Sequence, residues 1–310
     1  MSKDTLLFKI KTFCILLALL CIWLPAGCAL KPGTADQAEK ESLHIMTTVS
    51  IFADLIENVL GQNGSVEYLV PVGENPEDYE LLPGQLQALS EADAVFVNGW
   101  GLEEKIVQAL GHVSDIPVYH LTDGCNPILL VGSPDYDPHA WLDPNKTARY
   151  VGKILEALLE LDPAREQEYN QNSRDYLDRL DLLDAWIREQ VEQIPEKHRL
   201  LVISENALKY FGEAYGFRTE GIWELNAHEE GTPQQIQRIV DLVTAEDIPA
   251  LFVESTVDRR YMETISRETG VPIAGTIYTD ALGPPGGEAD TYLGMMRYNV
   301  NLFRNGLSCP

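Results

Sequence analysis

Basic residues are in short supply in this chain. Its 310 residues include 23 Lys and Arg against 48 Asp and Glu, a formal net charge of −25 at pH 7. So acidic a surface excludes nucleic acid as a partner, because that binding is driven by cations that displace counterions from phosphates. It also discourages contact with anionic lipid. Histidine is sparse, with six in all, and none of them forms a His-rich loop. There is no H-E-x-x-H helix and no nucleophile elbow, the signatures of zinc proteases and α/β-hydrolases. No low-complexity tract or internal repeat stands out. What remains is an ordinary globular composition, 45% hydrophobic and 23% charged, over a length that suits two domains.

The N-terminus departs from that composition. Lys3, Lys9 and Lys11 precede an apolar stretch over residues 13–24 that is too short for a comfortable membrane span. Leu24-Pro25-Ala26-Gly27-Cys28 follows and resembles a bacterial lipoprotein processing site, with Cys28 as the lipidated new N-terminus. The match departs at one point, since Pro25 stands where a Leu is usual and Leu24 lies one place further back. The other reading is an ordinary secretory signal in which Cys28 is incidental. Residues 1–27 are thus expected to be a signal peptide and residues 28–42 a flexible tether. Without residues 1–27, 20 basic and 47 acidic residues remain. Cys14 and Cys21 leave with the signal. Cys125 and Cys309 are then free to pair in an oxidising compartment, although nothing in the sequence places them together.

Beyond the tether, strand and helix patterns alternate. "HIMTTV" reads as a strand, with Ser50 as the N-cap of a helix marked by Phe52, Leu55, Ile56, Val59 and Leu60 and closed by Gly61. "VEYLV", "AVFVN" and "PVYHL" read as strands, and "PGQLQALSEAD" and "LEEKIVQALG" as helices. The pattern restarts with "RLLVIS" and continues to the C-terminus; one of its helices carries Thr232 as cap and Pro233 at the first position. Between the halves, Tyr176, Leu180, Leu183, Ile187, Val191 and Ile194 step at helical spacing over residues 167–193. The expected fold is therefore α/β: two similar lobes, each a mainly parallel sheet flanked by helices, bridged by one long rigid helix. The expected boundaries are 43–166 for the N-terminal lobe, 167–195 for the bridging helix and 196–310 for the C-terminal lobe.

Ligands of open α/β sheets bind beyond the carboxyl ends of strands. Four residues able to hold a metal fall at such places. Glu77 follows "VEYLVPV", His139 follows "NPILLVG", Glu205 follows "RLLVIS" and Asp280 follows "PIAGTIYT". Two come from each half, so their natural meeting place is the cleft between lobes. Each also has a plain structural reading: a loop histidine, a first-turn glutamate favoured by the helix dipole, or a turn aspartate.

"DPHAWLDP", "SENALKYFGEAYGF", "LFVEST" and "TDALGPPGGEADTYLGMMRYN" resemble the metal-binding cluster of ABC-transporter solute-binding proteins. These are surface lipoproteins that capture manganese, zinc or iron(II) for a membrane permease. The resemblance extends over essentially the whole mature chain. It implies a divalent metal as transported ligand, held between the lobes by Glu77, His139, Glu205 and Asp280. It also implies an ABC permease as partner, a monomer, and a lipid-anchored position on the extracytoplasmic face of a bacterial cell membrane. The loop Gly73-Glu74-Asn75-Pro76-Glu77-Asp78-Tyr79-Glu80 departs from the family pattern, because Glu77 stands where a histidine is usual.

One imidazole and three carboxylates form an oxygen-rich donor set. It leans toward Mn2+ or Fe2+, whereas zinc prefers compact nitrogen and sulfur ligation; Zn2+ remains open because the affinity order still favours it over Mn2+. Glu254, ending "LFVE", is a candidate outer carboxylate of the kind that fixes the tautomer of a ligating histidine. Three other readings stay open. They are an adhesin or surface-interaction lipoprotein, a binding protein that has lost its metal, and a secreted metallohydrolase. The last is disfavoured because four protein ligands leave no open position for water.

Overall fold

Strand β1 (Leu43–Thr47) is the centre of the first sheet. It pairs in parallel with β2 (Gly64–Tyr68) on one side and β3 (Ala94–Val97) on the other, and β3 pairs in parallel with β4 (Val118–His120). These strands belong to a computed structural model that describes residues 42–112, 116–225 and 231–308. The signal, Cys28, the tether up to residue 41, His228 and Cys309 lie outside those residues. β3 is buried throughout, as a strand covered on both faces must be, while the edge strand β2 is largely exposed.

The connections are α1 (Ser50–Leu60), α2 (Pro83–Ser90) and α3 (Glu104–Leu110). Helix α1 buries Phe52, Leu55, Ile56, Val59 and Leu60. Val49, and not Ser50, occupies its N-cap position. Ser50 is the first helical residue, and its hydroxyl accepts the backbone N–H of Leu282, 232 residues away. Gly61 ends the helix at φ 64°, where a Cβ would meet the Asn172 side chain at 2.8 Å.

A helix not read from the sequence, α4 (Pro144–Leu161), follows the first sheet. Its start signals are explicit in retrospect. Asp143 caps Asn145 N at 2.9 Å, Pro144 takes the first position, and Tyr150, Val151, Ile154, Ala157 and Leu158 form the buried stripe. The bridging helix is α5 (Glu166–Val191), 26 residues long and roughly 39 Å at 1.5 Å per residue. Tyr176, Leu180, Leu183 and Ile187 are buried along one side. They pack α5 against α1 and α4 of the first lobe and, at the far end of the chain, against α9 (Tyr292–Leu307).

The second lobe runs β5 (Leu200–Glu205), α6 (Lys209–Tyr215), β6 (Arg218–Trp223), α7 (Pro233–Glu246), β7 (Leu251–Glu254), α8 (Arg260–Thr269), β8 (Ile273–Ile277) and then α9. β5 pairs in parallel with β6, and β7 with β8. β5 lies alongside β7, and at its end the Glu254 carboxylate accepts the backbone N–H groups of Ser204 and Glu205 at 3.1 and 2.7 Å. A side chain therefore joins the two pairs where the functional residues emerge. Thr232 caps Gln235 N at 3.3 Å with Pro233 next to it, as the sequence indicates.

The lobes share one apolar core, which runs from Phe52 and Phe96 through the α5 stripe to Phe211, Phe252 and Phe303. Buried hydrogen bonds cross between them. Trp141 Nε1 donates to Thr279 O at 2.8 Å, and the Tyr210 hydroxyl donates to Asp137 O at 2.7 Å. Among the described residues no helix is long and apolar enough to cross a membrane. Among the described residues Cys125 has no disulfide partner, and its pairing with Cys309 lies outside them.

Candidate metal centre

The loop after β2 carries Glu77 inward. An Asx turn from Asn75 Oδ1 to Glu77 N at 3.0 Å sets its start. Gln85 pins its other end by donating to Leu69 O at 2.6 Å and accepting from Leu82 N and the Tyr79 hydroxyl. Glu77 is buried, while its neighbour Asp78 faces outward toward Lys105 at 3.4 Å.

His139 arrives differently from the sequence expectation. "NPILLVG" is not a strand; it forms a loop with a single antiparallel bridge between Leu129 and Tyr136. Leu129 and Val131 are exposed, so the apolar run does not mark a buried strand. His139 itself lies just before a short 3-10 turn (Ala140–Leu142) and is fully buried. Asp137 Oδ1 accepts both its backbone N at 2.9 Å and its ring Nδ1 at 3.0 Å. Holding a proton at Nδ1 directs Nε2 into the cluster.

Glu205 is the last residue of β5, and Asp280 follows β8 by three residues. Both are buried. Donor atoms of Glu77, His139 and Glu205 lie within 4.8 Å of one another. His139 Nε2 stands 3.3 Å from Asp280 Oδ1 and 3.7 Å from Glu205 Oε1. The structure thus brings all four sequence candidates to one buried point between the lobes, two from each. His139 Nε2 and Asp280 Oδ1 are buried there without a hydrogen-bond partner. Glu77 also lines a cavity of about 920 Å3 together with Asp78, Trp100 and Asp135.

The electrostatics are those of crowded anions. Burial raises the Glu205 carboxyl well above its ordinary value, with the neighbouring Glu77 and Asp280 adding to the effect and His139 opposing it. Burial pulls the other way on His139, but Asp137, Asp280 and Glu205 outweigh it and hold the imidazole well above its usual range. Asp137 is itself pushed up by burial, yet His139 and the Lys209 ammonium bring it below the usual range. Without a cation, protons fill the charge gap.

Glu254 does not touch His139. Its contacts are the β5 N–H groups, so it positions Glu205 through the backbone, and burial raises its carboxyl to about 7. The partner that orients the histidine is Asp137. Lys209, only 9% exposed, donates to Asp137 Oδ2 at 2.8 Å and pairs with Glu224 at 3.0 Å. Asp137 lies in the quoted "DPH" motif, two residues before the histidine; no local signal marks Lys209.

Two parallel-sheet lobes sharing a long helix, with ligand-capable side chains aimed from both at one enclosed point, define a solute-binding protein. The chain belongs to the zinc-uptake complex component A periplasmic family, whose profile matches residues 45–306. It is 48% identical over 283 residues to the manganese-binding lipoprotein MntA of Halalkalibacterium halodurans, covering 91% of this chain and 94% of that one. It is 36% identical over 286 residues to the manganese ABC transporter substrate-binding lipoprotein PsaA of Streptococcus pneumoniae, covering 89% and 93%. Among solved structures, the periplasmic zinc binding protein TroA from Treponema pallidum superposes with a TM-score of 0.83 at 26% identity, covering 86% of this chain and 99% of TroA. A Mn-bound periplasmic metal binding protein from Candidatus Liberibacter asiaticus gives 0.79 at 26% identity, with the same coverage.

Proposed function

We propose that this chain is the extracytoplasmic substrate-binding lipoprotein of a metal ABC importer. It captures one divalent transition-metal ion between its lobes through Glu77, His139, Glu205 and Asp280 and delivers it to a membrane permease. The observation that carries this reading is the buried cluster, in which three carboxylates and an imidazole converge and two facing ligand-capable atoms, His139 Nε2 and Asp280 Oδ1, have no hydrogen-bond partner. Isolated charges are not left inside a protein without compensation, and a dication supplies it. The three-oxygen-ligand set favours Mn2+ or Fe2+ over Zn2+, in keeping with the manganese named for MntA and PsaA.

Residues 43–166 and 196–310 serve as the two lobes and 167–195 as their rigid bridge. Residues 1–27 direct export, and acylated Cys28 anchors a monomer through the tether 28–42. The test is elemental analysis of a soluble form lacking residues 1–28, purified from metal-supplemented medium with and without air, beside H139A. One equivalent of metal in the parent and none in the variant is expected. A parent without stoichiometric metal under either condition refutes the reading.

A further inference from the structure

The two oxygens of Asp280 are treated differently by the fold. Oδ1 is buried without a hydrogen-bond partner and faces His139 Nε2. Oδ2 accepts two hydroxyls, from Thr256 at 2.9 Å and from Thr279 at 3.0 Å. Thr256 lies in the loop after β7 and Thr279 follows β8, so the ends of two neighbouring strands supply the pair. A carboxylate oxygen offers two lone pairs in its plane, and two hydroxyl donors occupy both.

We propose that Thr256 and Thr279 determine the ion selectivity of the site by holding Asp280 to a single ligating oxygen, which keeps calcium out. The inference rests on the reading that Glu77, His139, Glu205 and Asp280 hold the cargo. A buried cluster with three carboxylates would otherwise attract any hard dication. Calcium takes roughly six to eight oxygens in loose geometry. With Oδ2 withheld, the cluster offers at most one nitrogen and five oxygens, even if Glu77 and Glu205 both bind through two atoms. That set meets the octahedral demand of Mn2+ and leaves Ca2+ short of oxygen. Removing the hydroxyls frees Oδ2 to turn onto the ion and restores the missing donor.

The experiment compares the parent protein with T256V/T279V, which keeps the side-chain shape without the hydroxyls, and with T256S/T279S, which keeps the hydroxyls. Ca2+ competition against bound Mn2+ is measured for each, and X-ray absorption counts the donor atoms around Mn2+. The valine pair is expected to improve Ca2+ competition at least about tenfold, the size of one charge-assisted contact, and to add an oxygen around Mn2+. The serine pair should match the parent. T256V alone, at a half-buried position, carries the same expectation at smaller size should the double variant not fold. An unchanged Ca2+ to Mn2+ ratio and donor count in a folded valine variant overturns the proposal, as does a serine pair that behaves like the valine pair. A parent that binds no Mn2+ at all overturns the underlying reading of the cluster instead.

Discussion

Replacing Asp137 with Asn tests how the imidazole is made into a ligand. Asp137 is fully buried and its three contacts are short: His139 N at 2.9 Å, His139 Nδ1 at 3.0 Å and Lys209 Nζ at 2.8 Å. Asn keeps the shape and one acceptor oxygen, so the histidine can still be held, but the negative charge behind it is gone. Loss of such a carboxylate typically weakens metal affinity about 10- to 100-fold, or roughly 1.4–2.7 kcal/mol. Folding stability should fall as well, because Lys209 loses one of two anionic partners inside the protein. Breaking a buried pair costs on the order of 3–5 kcal/mol, and Glu224, still 3.0 Å away, moves this case to the lower end. Calorimetric titration with Mn2+ gives the affinity, and thermal unfolding in chelator gives the stability. K209M separates the two effects, since it breaks the ion pair and leaves the His139 contact in place. It should therefore match D137N in stability loss and fall well short of it in affinity loss. A folded D137N that binds Mn2+ within about twofold of the parent, or a K209M that loses as much affinity, refutes the reasoning.

The substitution that sets this loop apart gives a second prediction. E77A should lose affinity and E77H should shift preference toward Zn2+ by about tenfold or more, since a second imidazole replaces a hard oxygen donor; Mn2+ and Zn2+ competition unchanged in both variants would remove Glu77 from the ligand set. Loading should also release protons, because His139 and Glu205 are both raised well above their ordinary values and must bind the ion unprotonated. Affinity then falls as pH falls, and calorimetry in buffers of different ionisation enthalpy reads the protons; no release at pH 7 contradicts the electrostatic account. Glu103 supplies a stability test away from the cluster. Burial raises its carboxyl to about 7, so its contribution is complete below about pH 4.5 and is lost as pH rises through about 7, by an amount on the order of 3 kcal/mol. E103Q should remove that dependence, so that its chemical-denaturation stability gains on the parent between pH 4.5 and 7.5; parallel pH profiles would refute it. Finally, the shared core and the buried bonds between lobes predict nearly identical X-ray scattering for metal-free and metal-loaded protein, and a large compaction on loading would show that the bridge is a hinge.

Alternation of short apolar runs with amphipathic stretches made the two-lobe α/β design legible, because parallel strands buried on both faces read as continuous apolar segments. The same rule fails at "NPILLVG", where Pro127 and Gly132 bound a run of only four apolar residues and Leu129 and Val131 face solvent. Helix α4 is announced by Asp143, Pro144 and the stripe from Tyr150 to Leu158, a pattern that runs directly into the longer α5 signal. The four cluster residues were legible through strand ends and motif. Their supports were not. Lys209 reaches Asp137 across 72 residues, and Thr256 reaches Asp280 across 24. Such contacts depend on how the lobes and strand ends meet, which no local spacing encodes.

Each of these supports fixes one degree of freedom that an ion alone would leave loose. Asp137 sets which nitrogen of His139 faces the cluster, Glu254 holds the backbone of Glu205, and two hydroxyls decide which oxygen of Asp280 is available. Repulsion among carboxylates held this way is relieved in the metal-free protein by protons. A bound dication reverses that repulsion, and by mass action it adds stability in proportion to the logarithm of its concentration over its dissociation constant, about 2.7 kcal/mol at a hundredfold excess. Because the lobes are tied by a common core and by buried hydrogen bonds, little of that energy need go into closing them. With this cluster as the proposed metal site, selectivity resides as much in the residues behind the donors as in the donors themselves.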